Sequence, residues 1–437
     1  VTTNDYYNDW PFCKAVLSKE PALLELFTGH PYAFVRYIGP GKQAKTPEEN
    51  DLFGLCKQSM EMLQSFGRPT DIWIGELGYA LHIDSPVLSE YSLEYTSLII
   101  QALVTAKAAG VKKCLWFTQV GANEGGYEYG LFRGRPLYAL PAASAYAICA
   151  RMIDRTDQAK RIDLGENVTA WRFDENRSHQ SVVVLWSRYD PVKLLIKAPP
   201  STVVIHSFGR EIASGSNLTL NLSTLPVYLA VPAADAEELH TQIADAAMMI
   251  QNPIKIHNAY LSTTEHLIVE LLNQTNKSIE VTLRVEGEEK PVLIEPGISR
   301  VDMPVKLDGR KEIALEVESQ AGIQKQTVSL DLLEIPKLVQ SQIDGSLSTV
   351  SDRIGIPLAE HKYLLPVDPG IPWDGKQDLS ITAWLGWNEQ VLYYAAQVTD
   401  DIHFVDRDDA TGFWQSDSIQ IAMDPQNDSL MDFNEDD

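Results

Sequence analysis

The stretch Asp71-Ile72-Trp73-Ile74-Gly75-Glu76-Leu77-Gly78-Tyr79 decides the fold of the first third of the chain. A short apolar strand running into Gly75-Glu76-Leu77-Gly78 sets a carboxylate at the strand's C-terminal end, where a parallel barrel keeps its reacting groups. A carboxylate near a core is costly unless it is used or paired, so Glu76 is either a functional acid or one arm of a structural ion pair. Two neighbours weight the first alternative. Thr28-Gly29-His30-Pro31-Tyr32 follows the preceding apolar strand, and Leu115-Trp116-Phe117-Thr118-Gln119 forms the next. If the three strands are adjacent and parallel, His30, Tyr32, Glu76 and Trp116 converge on one pocket. There a tyrosine hydroxyl can orient a carboxylate and an indole face can stack on a pyranose ring.

Outward from this stretch, residues 8–153 alternate helical stretches with short apolar runs, the pattern of parallel strands with crossover helices. Helices are predicted over 10–18, 49–66, 91–109 and 140–153, and strands over 24–28, 72–75 and 113–117. In the third helix Leu98, Ile99, Ala102, Leu103 and Ala106 recur at helical spacing, and Gly110 stands where the helix should stop. After Asp154 short β-branched runs with turns (168–173, 181–186, 193–196, 203–207, 218–222, 227–231) predict an antiparallel sandwich. The Ala-rich, acidic stretch 233–249 reads as a linker to a second β zone, 254–333, with strands over 265–272, 279–285 and 312–318. That zone carries no evident chemistry and reads as an immunoglobulin-like spacer.

The last zone, from Pro336, is dense in aromatics and acids: Trp373, Trp384, Trp387, Tyr393, Tyr394 and Trp414 with Asp400, Asp401, Asp406, Asp408, Asp409 and Asp417. Such residues suit sugar stacking or calcium ligation, and equally an ordinary core with a solvated acidic edge. A strand-like segment, 417–423, precedes the polar tail. The division expected is 1–156, 157–233, a linker 234–250, 251–335 and 336–437.

With 437 residues the chain exceeds what one core usually supports. Its apolar runs stop well short of the roughly 20 residues of a membrane-spanning helix. A net charge of -24, from 60 acids and 36 bases, repels a phosphate backbone, so nucleic acid is not an expected partner. Cys13, Cys56, Cys114 and Cys149 form no CxxC pair and read as small buried hydrophobes. Neither an HExxH motif nor a glycine-rich phosphate loop occurs. Val1-Thr2-Thr3-Asn4 opens without Met or a signal segment, and Glu435-Asp436-Asp437 closes without a final element, so the chain reads as part of a longer protein. On that reading, the lack of a signal segment says nothing about export.

On the residues quoted, 1–153 resembles the C-terminal part of a (β/α)8 barrel of the retaining glycoside hydrolase clan A, which holds family 5 and family 39 enzymes. His30-Pro31-Tyr32 matches the end of strand six, Trp73-Ile74-Gly75-Glu76-Leu77-Gly78 strand seven, and Leu115-Trp116-Phe117 strand eight. The resemblance implies a multidomain chain: a partial (β/α)8 TIM barrel, its C-terminal half, followed by all-β sandwich domains. It implies Glu76 as nucleophile, Tyr32 as its hydrogen-bond partner, His30 as a pocket residue and Trp116 as a sugar platform. Retaining enzymes set two carboxyl groups about 5 to 5.5 Å apart. The clan's acid/base is a glutamate after an asparagine at the end of strand four, upstream of a chain that begins near strand five. Asn123-Glu124 lies after strand eight among Gly121, Gly125 and Gly126, and Glu48-Glu49-Asn50 opens a helix in reversed order, so neither takes that place. These residues alone are therefore expected to be inactive.

Segments 168–173, 182–186, 207–209 and 225–229 resemble the small β-sandwich that accompanies many barrels of this clan. Ile343-Asp344-Gly345-Ser346-Leu347, Ala383-Trp384-Leu385-Gly386-Trp387 and Phe413-Trp414-Gln415-Ser416-Asp417-Ser418 resemble a family 9 carbohydrate-binding module. That likeness implies sugar contacts at Trp387 and Trp414 and room for a structural calcium, with no cofactor for catalysis. The implied function is retaining hydrolysis of O-glycosidic bonds in a polysaccharide or oligosaccharide by an extracellular, periplasmic or cell-surface protein. The alternatives are a catalytically inactive carbohydrate-binding or scaffold protein with a vestigial barrel, and a barrel enzyme of other chemistry using Glu76 as a base.

Overall fold

The computed structural model describes residues 10–20, 27–32, 35–68, 71–134, 136–156, 159–175, 178–263, 265–306, 312–329, 335–338, 355–359, 374–401 and 419. The chain divides into two compact units, one of residues 1–259, 269–303 and 315–326, the other of residues 260–268, 304–314 and 327–437.

The first unit opens with α1 (Trp10–Lys19), β1 (Phe27–Gly29), β2 (Tyr37–Ile38), α2 (Leu52–Ser65), β3 (Ile72–Leu77), β4 (Ala80–His82) and α3 (Glu90–Ala109). It continues through β5 (Lys113–Trp116), β6 (Ala122–Glu124), β7 (Tyr127–Tyr129), β8 (Phe132–Arg133), β9 (Tyr138–Ala139) and α4 (Pro141–Ile153). Strands β1, β3 and β5 form a parallel sheet in sequence order, with Phe27 opposite Ile72 and Ile74 opposite Cys114. Helices α2 and α3 supply the crossovers that parallel neighbours require. The Ser89 side chain accepts a hydrogen bond from the Ser92 N–H to start α3, and Gly110 ends it at φ 105, a backbone position that glycine takes without a Cβ penalty. Strand β3 runs two residues beyond its predicted end because Leu77 returns to the core and pairs with Trp116. Of the predicted strand 24–28, residues 24–26 lie outside the described residues.

A second small sheet, ordered β2-β4-β7-β6, was not expected. Each of its strands comes from a connection leaving the C-terminal end of β1, β3 or β5, so it sits at the rim where those ends open.

The sandwich holds β10 (Ala159–Arg161), β11 (Val168–Phe173), β12 (Gln180–Ser187), β13 (Val192–Lys197), β14 (Val203–His206), β15 (Glu211–Ser214), β16 (Asn217–Leu222) and β17 (Val227–Pro232). They are followed by α5 (Ala236–Ala244) and β18 (Ala247–Ile250). One sheet is ordered β10-β11-β12-β17-β14-β15 and the other β16-β13-β18. Every residue of β11 is buried, because its sheet is covered on both faces. Trp171, Phe173, Val182, Val184 and Trp186 pack into the core of the α/β segment, while Val168, Ala170, Val183 and Leu185 fill the sandwich.

Residues 234–250, read from sequence as a linker, belong to the sandwich instead. Ala236, Leu239 and Ile243 are the buried residues of α5, Leu239 and Ile243 lie in the sandwich core, and β18 pairs with β13. Their helical period was hidden by an alanine-rich, acidic composition that also suits a solvated connection.

Further strands are β19 (Ile254–Thr263), β20 (His266–Asn273), β21 (Ile279–Val285), β22 (Glu288–Ile294), β23 (Gly297–Pro304), β24 (Glu312–Ser319) and β25 (Gly322–Ser329). They form sheets ordered β19-β20-β23 and β22-β21-β24-β25. Val281, Leu283 and Val285 point inward from β21, and Arg284 between them meets Glu289, Glu316 and Glu318 at 3.0, 2.7 and 2.7 Å. In the second unit β26 (Ile356–Leu358), β27 (Leu379–Trp387) and β28 (Leu392–Asp400) form an antiparallel sheet whose Trp384, Tyr393 and Ala395 pack with Leu338. The predicted strand 417–423 lies outside the described residues apart from Ile419. Among the described residues no helix is long and apolar enough to cross a membrane.

Two outcomes follow from this packing. Leu239→Ala, which empties a fully buried site, should destabilise the sandwich by about 2 to 5 kcal/mol in denaturant titration. A change within experimental error would return α5 to the status of a linker. Cys56, Cys114 and Cys149 are unpaired thiols, and burial pushes Cys56 and Cys149 from 9.0 up to about 12. Above pH 9 the unfolded chain therefore releases protons that the folded chain keeps, so stability is intact below pH 9 and falls as pH rises toward 12. At pH 8 these thiols should resist Ellman's reagent until guanidinium unfolds the protein, and rapid native labelling of Cys56 or Cys149 would contradict it.

Candidate functional site

Glu76 stands one residue before the end of β3, and both flanking glycines are required by what approaches it. A Cβ at Gly75 would lie 2.9 Å from Nε2 of His30, and one at Gly78 would lie 2.4 Å from the Phe117 carbonyl and 2.9 Å from the Tyr129 ring. The bare backbone thus lets the segments after β1 and β5 close around the carboxylate.

The Tyr32 hydroxyl donates to Oε2 of Glu76 at 3.2 Å, and Nδ1 of His30 lies 3.7 Å from the same oxygen. The Glu76 side chain is 42% exposed, which leaves it open to a ligand. Among the described residues Oε1 has no hydrogen-bond or ionic partner. Burial, then the Glu76 charge, raises the Tyr32 pKa, so the phenol keeps its proton and stays a donor. Trp116, the last residue of β5, lies alongside Tyr79 with ring centroids 6.4 Å apart and packs against the core. The structure therefore brings His30, Tyr32 and Glu76 together at the ends of adjacent strands, with Trp116 on the third.

The rim sheet adds residues that the sequence did not single out. The Arg36 guanidinium lies 5.4 Å from the Tyr32 ring centroid, and its Nε donates to the Tyr129 hydroxyl. Tyr129 donates in turn to Oε2 of Glu124 at 2.9 Å, Tyr37 donates to the same oxygen at 3.3 Å, and Nη2 of Arg36 lies 3.7 Å away. Burial raises the pKa of Tyr129 and of Tyr37, so both remain donors. Tyr32, Phe117 and Tyr129 meet edge to face, with centroids 5.3 to 6.3 Å apart. Tyr127 and Tyr129 alternate along β7 onto one face, the single sequence signal for this cluster. Glu48, by contrast, accepts from Thr169 and Trp186 at 2.7 and 3.1 Å and serves as a structural tie to the sandwich.

In the second unit Trp387 is 38% exposed, its indole N–H donates to the Ile335 carbonyl at 2.9 Å, and the Lys337 ammonium sits 5.1 Å over its ring. Trp414 and the acids Asp406, Asp408, Asp409 and Asp417 lie outside the described residues. Among the described residues no group of three or more His, Cys, Asp or Glu side chains could hold a metal ion.

Residues 368–437 match the family model described as carbohydrate family 9 binding domain-like. No curated protein matches the chain. Solved structures similar to it include a β-D-mannosidase from Dictyoglomus thermophilum (7% identity, TM-score 0.18, covering 41% of this chain and 37% of that one). A GH2 β-galacturonidase from Eisenbergiella tayi shows 10% identity and a TM-score of 0.16, covering 40% of this chain and 43% of that one. A β-glucuronidase from Faecalibacterium prausnitzii shows 9% identity and a TM-score of 0.17, covering 37% and 40%. The chain thus spans about two fifths of the length of these structures, and TM-scores of this size establish neither a shared fold nor a shared chemistry.

Gly78→Ala should cost roughly 1 to 3 kcal/mol, because the Phe117 carbonyl is backbone and must shift. Gly75→Ala should instead displace the His30 ring, read as a changed imidazole proton shift in NMR with little loss of stability. Equal and negligible effects of both would mean that the glycines do not govern the approach to Glu76.

Proposed function

We propose that the protein hydrolyses O-glycosidic bonds of a polysaccharide or oligosaccharide with retention, Glu76 acting as nucleophile. The observation that carries this is the exposed Glu76 carboxylate at the C-terminal end of a parallel strand, with Tyr32 holding Oε2 and Oε1 left open. Oε1 attacks the anomeric carbon while a second carboxyl group protonates the departing oxygen. Water then cleaves the glycosyl ester after giving its proton to that second group. The Tyr32 hydrogen bond fixes the carboxylate plane and leaves its charge in place. The acid/base is proposed as the glutamate of an Asn-Glu pair at the end of the fourth barrel strand, ahead of Val1.

Residues 1–156 are proposed as the C-terminal part of a (β/α)8 barrel. Support comes from the sequential order β1-β3-β5 and from successive helices packing on one another, α2 on α3 and α3 on α4. Residues 336–437 are proposed as a carbohydrate-binding module, on the strength of the family match over 368–437, with Trp387 and Trp414 as sugar contacts and calcium as a structural ion. A glycan ligand and a glycosidase site suit an extracellular or cell-surface setting. That same family match favours the second reading, a glycan-binding protein without turnover.

The test is Glu76→Gln in the full-length protein, assayed on aryl glycosides and β-linked oligosaccharides. The turnover is expected to fall about a thousandfold or more with the unfolding midpoint preserved. Full turnover in the variant would sink the nucleophile role, and glycan binding without any hydrolysis by the unmutated protein would establish the second reading.

A further inference from the structure

The rim sheet holds a second carboxylate that the nucleophile role of Glu76 does not use. Glu124 ends β6, is 53% exposed, and makes its described contacts through Oε2 alone: the Tyr129 and Tyr37 hydroxyls and the Arg36 guanidinium. Among the described residues Oε1 of Glu124 is unengaged, while two hydroxyl donors and the Arg36 ion pair on Oε2 fix the direction of the carboxylate. Beside it stand two half-buried aromatic faces, Tyr37 and Tyr127, with centroids 5.0 Å apart, and His82 set edge-on to Tyr127 at 5.2 Å. An oriented acceptor beside aromatic faces is the chemistry that recognises a pyranose, whose hydroxyls donate and whose C–H face packs on rings.

The two carboxylates are coupled through the wall between them. Tyr32 serves Glu76 and Tyr129 serves Glu124, the two rings meet at 79° with centroids 6.3 Å apart, and Arg36 bridges them. Glu76 and Glu124 are thus served by two tyrosines in direct contact, at neighbouring positions on one wall.

We infer that Glu124 is a specificity-determining residue: its free oxygen accepts a hydrogen bond from a hydroxyl of the sugar adjoining the one at Glu76. This rests on the glycosidase reading of Glu76. The rigid hold on Oε2 is what makes the site selective, since an oriented charged acceptor favours a hydroxyl in one configuration and is left unpaired by its epimer.

The test compares Glu124→Gln and Glu124→Asp with Glu76→Gln in the full-length protein. The probes are 4-nitrophenyl β-glucoside, β-mannoside, β-galactoside and β-xyloside and the matching β-linked trisaccharides. Glu124→Gln keeps an acceptor for Tyr129 but turns the other position into a donor. It should raise KM for the preferred trisaccharide roughly ten- to a hundredfold, with a much smaller change in its kcat. The effect on the single-ring glycosides should be several-fold smaller, and Glu124→Asp should recover part of the loss. Equal losses on both probe classes would assign Glu124 a merely structural role and overturn the inference. So would an unaltered KM in a protein whose Glu76→Gln variant is dead, which would leave the glycosidase reading standing. Absence of hydrolysis by the unmutated protein, or full activity of Glu76→Gln, would overturn both.

Discussion

Two missing side chains govern the candidate site. Because Gly75 and Gly78 carry no Cβ, the His30 ring and the Phe117 carbonyl come closer than a Cβ would allow without a shift, of a side chain in the first case and of backbone in the second. The carboxylate is therefore approached by three chain segments that are remote in sequence: its Tyr32 partner reaches it from the segment after β1, and β3 itself gains one residue over β5 between Ile74 and Leu77. The cost is local: glycine within a strand gives up side-chain packing and backbone order. Pairing of Ile72 and Ile74 with the strands on either side, and the return of Leu77 to the core, offset that cost and keep β3 extended through Glu76.

The same economy of burial joins the α/β segment to the sandwich. A sheet that faced water on one side would alternate apolar and polar residues, yet Val182-Val183-Val184-Leu185-Trp186 is apolar throughout. Each face of that run has its own core to fill, so no position is left for a solvated side chain. Glu48 supplies the polar part of the joint, taking the Trp186 indole N–H and the Thr169 hydroxyl on one oxygen. Both donors would otherwise be buried without a partner.

Where one period dominates, the sequence was sufficient. Helix α3 and its Gly110 stop, the parallel strands and the sandwich strands all lie within a few residues of where their apolar spacing put them, and strand order brings Tyr32 and Glu76 to one place, whereas Tyr32 as a hydrogen-bond partner came from the family resemblance. Where the period is short or diluted, it was not. Helix α5 carries its three buried positions in nine residues of Ala-rich, acidic sequence. The rim strands are two or three residues long, below the length at which alternation can be told from chance, and they are defined only by pairing with one another. Glu124 was set aside because its place in the chain does not suit an acid/base, and nothing in the local sequence reveals that Arg36, Tyr37 and Tyr129 gather on it.

Glu76 and Glu124 share a construction that lets one small region hold two carboxylates. Each is gripped on Oε2, by a tyrosine hydroxyl in both cases, and among the described residues Oε1 of each has no hydrogen-bond partner. A tyrosine donor stabilises a carboxylate while adding no charge, provided it keeps its proton, and burial ensures that for Tyr32 and Tyr129 alike. The Arg36 guanidinium pairs with Glu124 rather than with Glu76. On the proposed reading that asymmetry separates their roles: Glu124, tied into an ionic network, holds a ligand, whereas Glu76, with no arginine partner, attacks one.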